Sequence, residues 1–181
     1  MKIENQTISD VQDIDIQNGT FEIAENITEI SEYAFWNCTL LETIIIPKNI
    51  SKIGRCAFRN CLNLKEIIFQ NMECEINYEA FSHTGLISIE LPFNLKEIPA
   101  SCFSFCKHLR NINIPKNIQR IGDLAFQECN NLEEINLPSS LTYINDIMFF
   151  QCKNLKTLYW NGKKYNYEDL KTYESFKANE F

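Results

Sequence analysis

An Ala-Phe pair, or a close variant of it, returns along this chain at almost constant spacing. The aromatic positions are Phe35, Phe58, Phe81, Phe103, Phe126 and Phe149, separated by 23, 23, 22, 23 and 23 residues. Three residues after each stands Cys38, Cys61, Thr84, Cys106, Cys129 or Cys152. Self-similarity at this period means a stack of like supersecondary units, none of which can bury its apolar face alone. The 181-residue chain is therefore expected to form one quasi-linear repeat solenoid. Such a stack presents long surfaces to other molecules, so binding is the activity it suggests.

One unit, residues 41–64, reads LETIIIPKNISKIGRCAFRNCLNL. Leu41, Ile44 and Ile46 point one way and Thr43 and Ile45 the other, an alternation rich in β-branched residues that marks a short strand. Pro47 ends it, because proline cannot donate to a ladder. Ile50 and Ile53 return at a spacing of three, Gly54 relaxes the backbone into a turn, and Ala57-Phe58 and Cys61 follow. Later units keep the pattern with substitutions: Gln70 replaces the proline, and the fourth unit is one residue short at Thr84-Gly85. Phe21, Ile23, Ile27, Ile30 and Phe35 form a degenerate first unit.

The pattern Leu-x-x-Ile-x-Ile-Pro-x-x-Ile-x-x-Ile-Gly-x-x-Ala-Phe-x-x-Cys-x-x-Leu resembles the BspA-type, or treponemal-type, leucine-rich repeat, and does so from about Phe21 to Trp160 in six units. The resemblance implies a right-handed, β-rich leucine-rich-repeat solenoid of about six 22–23-residue repeats, with its strands side by side on a concave face. It also implies a role in adhesion or recognition at a cell surface, or after secretion. The first residues, Met-Lys-Ile-Glu-Asn-Gln, lack the apolar core of a signal peptide, and no apolar run approaches the roughly 18 residues that span a bilayer. The compartment stays open on these grounds.

Both ends read as caps, which a solenoid needs to cover its terminal coils. Ile14 and Ile16 alternate before Gln17-Asn18-Gly19-Thr20, and Phe21 and Ile23 after it, which predicts a hairpin in an N-terminal cap over residues 1–20. A second Asn-Gly turn, Asn161-Gly162, lies between Tyr159-Trp160 and Tyr165. Beyond it, Leu170, Tyr173 and Phe176 stand at helix-like spacing, predicting a short amphipathic helix over 167–178. Hairpin and helix together form the C-terminal cap, residues 161–181, leaving the solenoid as 21–160.

A net charge of −7 argues against nucleic acid and anionic membrane surfaces, which select basic faces. The eight cysteines suggest a disulfide scaffold until their places are read. Five fill one repeat slot and Cys102 replaces the Ala of Ala-Phe, so they read as small core hydrophobes. Cys74 falls where other units carry Thr28, Ser51, Lys96, Gln119 and Thr142, and is expected to be exposed and the most reactive thiol. Cys102 and Cys106 are four apart with no second pair or His in register, so no metal or other cofactor is expected. Catalysis requires convergent groups. His83 and His108 have no acid or nucleophile at a motif spacing and read as solvated turn residues, so the chain is expected not to be an enzyme. The sequons beginning at Asn5, Asn18, Asn26, Asn37 and Asn49 are read as composition, with Asn37 poorly accessible beside a core Cys.

Specificity is expected in the strand residues that face away from the core. One outward column reads Thr20, Thr43, Glu66, Ser88, Asn111, Glu134, Thr157, and its neighbour Glu22, Ile45, Ile68, Glu90, Asn113, Asn136, Tyr159. Ile45 and Ile68 are anomalous, being large apolar residues on adjacent strands in a polar column. Met72 and Phe93, just beyond the strand ends of the next coils, extend them, and Glu66 and Glu90 flank them. Apolar groups clustered on a polar face mark a protein-binding site, although Ile45 and Ile68 also suit a purely stabilising cross-strand pair. Trp36 and Phe150 share a slot otherwise filled by Arg59, Ser82, Ser104 and Gln127, and each is expected to pack on its own cap. The expected function is a non-catalytic protein–protein interaction module. The alternative is a structural spacer that associates with itself through its terminal caps.

Overall fold

The computed structural model describes residues 1–70, 73–144, 146–170 and 176–177. Each coil has three sides. The first is a ladder of short parallel strands, Thr20–Phe21, Thr43–Ile46, Glu66–Phe69, Ser88–Glu90, Asn111–Asn113, Glu134–Asn136 and Thr157–Trp160. Their register repeats from coil to coil: Ile44 faces Ile67, Ile89 faces Ile112, and Ile135 faces Leu158. The second side is a ladder of still shorter strands, Glu29–Ile30, Lys52–Ile53, Glu75–Ile76, Glu97–Ile98, Arg120–Ile121 and Tyr143–Ile144. In these the inward Ile is buried and its polar neighbour faces out, so the period-2 rule holds even over two residues.

The third side carries Ala-Phe and is built from successive turns. The N–H groups two before the Phe, at the Phe, and two after it donate to carbonyls of the next coil: Tyr33 to Arg55 (2.9 Å), Phe35 to Ala57 (2.7 Å), Asn37 to Arg59 (2.9 Å). The same triplet recurs at Cys56, Phe58 and Asn60, and in the coils that follow. Directing alternate N–H groups along the stack forces left-handed backbone two residues either side of the Phe. Tyr33, Cys56, Glu79, Ser101 and Leu124 have φ of 54–59°, and Asn37, Asn60, His83, Phe105, Glu128 and Gln151 have φ of 53–67°. Left-handed backbone costs a non-glycine residue roughly 1–2 kcal/mol, so the inter-coil hydrogen bonds and the core must offset it at every coil.

That core centres on the six phenylalanines. Their rings stack along the solenoid with centroids 4.8–5.7 Å apart and planes within 18° of each other. Both ends of the column are closed edge-on, by Phe21 against Phe35 at 83° and Tyr167 against Phe149 at 83°. The cysteine slot has a polar task as well as an apolar one. Each thiol donates to a main-chain carbonyl of the preceding coil: Cys61 to Phe35 (3.0 Å), Cys129 to Phe103 (3.2 Å), Cys152 to Phe126 (2.8 Å). Thr84 fits the slot with a hydroxyl that donates to its own coil's Phe81 carbonyl at 2.9 Å. Gly122 is required by contact, since a Cβ there would lie 2.4 Å from the Ala100 nitrogen.

Outside the repeats several expectations are corrected. The N-terminal hairpin is Lys2–Glu4 paired with Thr7–Ser9, upstream of the predicted place. Residues Asp13–Asp15 form a 3₁₀ turn that leaves Ile14 89% exposed, so Ile14 and Ile16 do not alternate as a strand. Asn18-Gly19 does reverse the chain, but into a single Gln17–Thr20 bridge. The Asp13 carboxylate explains the 3₁₀ turn: it accepts from the Thr39 hydroxyl (2.8 Å) and the Leu40 N–H (2.9 Å), tying the cap to the first Phe turn.

At the other end the Asn161-Gly162 hairpin forms, pairing Thr157–Trp160 with Lys163–Asn166. Tyr167–Leu170 is helical, whereas Phe176–Lys177 is extended against Tyr143–Ile144, so the predicted helix does not run through Phe176. Tyr173 lies outside the described residues. Cys74 is also corrected, being buried at 1% exposure. In its coil the core slot held by Ile50, Leu95, Ile118 and Leu141 falls to the exposed Glu73, and the next side chain, Cys74, joins the core instead. Burial pushes its thiol up to about 12, the reverse of activation.

Candidate functional site on the sheet face

The outer face of the first ladder positions the candidate site, because each inward Ile of a strand commits its neighbours to solvent. Thr43–Ile46 and Glu66–Phe69 are four-residue strands in register, with Ile45 directly opposite Ile68. Both are exposed, at 46% and 41%, while Ile44, Ile46 and Ile67 on either side are buried. In the flanking coils the same column is polar, with Glu22 before the pair and Glu90 and Asn113 after it, and Glu90 pairs with Asn113. Glu66 stands opposite Thr43 in the neighbouring column and is exposed. Phe93 is the most exposed member at 58%, on a turn three positions past the Ile slot of the following coil. Met72 lies outside the described residues.

Three features of this face could not be read from one-dimensional spacing. A depression of ≈400 Å³ adjoins Ile45 on its N-terminal side, lined by Thr20, Glu22, Glu25, Thr43, Pro47 and Gln70 among others. It lies where the two-residue strand Thr20–Phe21 adjoins the four-residue strand Thr43–Ile46. A second hollow of ≈250 Å³ lies at the short coil, where Leu62 and Ile87 are exposed beside Lys65, His108 and Arg110. The missing residue at Thr84-Gly85 was its only sequence signal. Along the rim, Glu42 pairs with Lys65 (3.0 Å) and Glu133 with Lys156 (3.7 Å), each one coil apart; such exposed pairs contribute about 0–1 kcal/mol.

The third side holds a titratable cluster. Arg59 is ion-paired to Glu79, the Cys56 thiol donates to the same carboxylate (3.3 Å), and Arg55 lies over the Tyr78 ring. Burial and the Glu79 carboxylate raise the Cys56 thiol. His83 is not a solvated turn residue: it stacks on Phe105 at 4.3 Å, and its Nδ1 lies 2.8 Å from the Ser82 hydroxyl. Burial, then the Arg59 charge, hold it below its ordinary value. His108 is exposed as expected. Trp36 and Phe150 stand out into solvent at 52% and 46% and do not pack into their caps. Asn37 is likewise exposed, its place fixed by left-handed backbone and not by the core Cys. Among the described residues no His, Cys, Asp and Glu group could hold a metal ion, and no helix is long and apolar enough to cross a membrane.

Six tandem copies of the BspA-type leucine-rich repeat match residues 28–156. The chain belongs to that family. Its repeats typically mediate protein–protein interaction, and proteins built on them are generally non-enzymatic scaffolds. A leucine-rich repeat protein of T. pallidum is similar in structure, with TM-score 0.71 and 28% identity over 77% of this chain and 67% of that one. A leucine-rich cell surface protein of Faecalibacterium prausnitzii gives TM-score 0.67 and 29% identity, covering 80% of this chain and 39% of that one. The pneumococcal vaccine antigen PcpA gives TM-score 0.66 and 25% identity, covering 90% and 47%. This chain thus spans less than half of the latter two proteins. No curated protein matches it in sequence.

Proposed function

We propose that this chain is a non-catalytic module that holds a protein ligand on the outer face of the first ladder. The observation that carries the reading is the Ile45–Ile68 pair, two opposed aliphatic side chains left in water where their column is otherwise mostly polar. Burying both under a ligand would recover on the order of 25 cal/mol per Å² of apolar surface removed from water. Glu66 and Glu90 border the pair and suit cationic or hydrogen-bond-donating groups at the rim of the contact, while Phe93 extends its apolar part. The depression beside Ile45 accepts a side chain of the ligand. Display at a cell surface and an adhesive role belong to the same reading, supported by the description of the Faecalibacterium relative as a cell surface protein.

The experiment is capture of partners from cell lysate and from cell-surface extract, comparing the wild-type chain with the Ile45→Glu/Ile68→Glu variant. The expected result is a protein retained by the first and lost by the second, with unchanged circular dichroism. Undiminished capture by the folded variant would overturn the proposal.

A further inference from the structure

The third side of the solenoid carries a symmetry that the repeat does not require. Read through the six coils in order, the position after the Phe is Trp36, Arg59, Ser82, Ser104, Gln127, Phe150. It runs aromatic, polar, small, then small, polar, aromatic. The next position runs Asn37, Asn60, His83, Phe105, Glu128, Gln151, two polar residues and a ring, then a ring and two polar residues. Two before the Phe, the column is Tyr33, Cys56, Glu79, Ser101, Leu124, Ile147, which is apolar at both ends and polar in the middle. All three columns reverse into themselves about the boundary between the third and fourth coils. Exposure follows the same order in the first of them, from Trp36 and Phe150 in solvent, through half-buried Arg59 and Gln127, to buried Ser82 and Ser104.

We propose that this face binds a second copy of the chain, antiparallel, about a two-fold axis that passes between the third and fourth coils. An isologous interface needs one patch that is complementary to itself when reversed, which is what these columns provide. With the axis along the chain direction, each coil meets its counterpart from the far end and each slot meets its own kind. Trp36 then meets Phe150 of the other copy, and Tyr33 meets Ile147, so these four exposed apolar groups are covered, while Tyr78 stays under its own Arg55. At the centre the stacked His83 and Phe105 meet the same pair, and Ser82 and Ser104, hydrogen-bonded to each other at 2.8 Å, let the two backbones approach.

Charge supports the same pairing at the second and fifth coils and opposes it at the ends. One position before the left-handed residue, Arg55 of the second coil meets Asp123 of the fifth, whereas Glu32 of the first meets Asp146 of the sixth. Asn60 and Arg59 meet Glu128 and Gln127. A two-fold axis along the solenoid would instead set each coil against itself and leave Trp36 and Phe150 at opposite ends of the strip. The strip is only six coils long, about 29 Å at about 4.8 Å per coil, so its area lies near the low end of specific interfaces and the association is concentration-dependent.

Trp36 and Phe150 of one chain are five coils apart, about 24 Å, whereas across the dimer they touch. Chains carrying Trp36→Cys and Phe150→Cys are mixed and treated with a short bis-maleimide. The native thiols are buried and do not compete. The expected result is a cross-linked dimer from the mixture and none from either variant alone. Sedimentation from micromolar to submillimolar protein is expected to show dimer for wild type, with the dissociation constant raised about tenfold or more by Trp36→Glu or by Phe150→Glu. Mixing Trp36→Glu chains with Phe150→Lys chains is expected to restore much of that loss. A monomer at every concentration, equal cross-linking within one variant, or a dimer indifferent to both Glu variants would overturn the proposal. The sheet-face variant Ile45→Glu/Ile68→Glu is expected to dimerise normally, which separates this interface from the ligand site.

Discussion

On the Phe side every coil sets a ring on one axis, and five of the six set a thiol near a carbonyl of the coil before. On the sheet side the outward columns run Thr, Thr, Glu, Ser, Asn, Glu, Thr and Glu, Ile, Ile, Glu, Asn, Asn, Tyr. The same backbone supports both, so the difference is one of constraint. A ring between two rings has its shape dictated from above, below and inside. A residue on the outer face has one cross-strand neighbour at each side and water in front. Repetition therefore reports the structural requirement, and departure from repetition reports the places left free for recognition.

The comparison breaks most visibly if a central ring is removed. Phe81→Ala takes a fully buried side chain from between Phe58 and Phe103, and is expected to cost about 3–5 kcal/mol in denaturant unfolding. A cost below about 1 kcal/mol would mean that the column is not the core's organising element.

The thiols provide a second test. Burial holds Cys38 and Cys74 at about 12 and Cys106 at about 11, and raises Cys61, Cys102 and Cys129 well above their ordinary value. A folded pKa above the unfolded one means that the native state holds protons which the unfolded chain releases. Stability from this source is full below pH 9 and falls as pH rises from there towards 12. Urea midpoints are expected to drop steeply between about pH 9 and about pH 10.5, and less steeply in Cys61→Ala/Cys129→Ala, because two fewer protons are released. Equal slopes would place the alkaline loss elsewhere.

Backbone contact is tested next. Gly122→Ala drives a Cβ onto the main chain of Pro99 and Ala100, and is expected to cost about 1–3 kcal/mol, read as a lowered unfolding midpoint. The smallest effect belongs to the sheet face. Ile45→Thr or Ile68→Thr is expected to change stability by less than about 1 kcal/mol, since each loses only part of a cross-strand contact. A loss comparable to Phe81→Ala would make the pair a structural feature and weaken the ligand reading.

The regular part of this architecture is legible in the sequence because inward slots recur at fixed spacing and admit few side chains. The Ile44, Ile67 and Ile89 register and the Asn161-Gly162 turn follow from pattern alone. Cys74 was misread because slot arithmetic assumes that each coil fills its slots independently, whereas Glu73 vacated one and its neighbour took the space. Ile14 was misread for a related reason: tertiary bonds from Asp13 to Thr39 and Leu40 outweigh local alternation. The left-handed turns carry no glycine, and of their residues only Asn37, Asn60 and His83 are of types that favour such backbone, so the sequence announces them weakly. At the candidate site the Ile45–Ile68 pairing was legible, while the depression beside it lies where two strands of unequal length adjoin and is visible only in three dimensions.

The cysteine ladder has a consequence in time as well as in space. Before its coils stack, the chain presents eight thiols to any oxidant or electrophile it meets; afterwards all eight are buried. Cys38 and Cys61, and likewise Cys106, Cys129 and Cys152, stand one coil apart, with backbones about 4.8 Å from each other, a separation at which disulfides form readily between accessible partners. Folding is thus itself the protecting group. A chain that completes its solenoid first keeps its sulfur chemistry silent, and one that meets an oxidising compartment while still extended is liable to be stapled out of register.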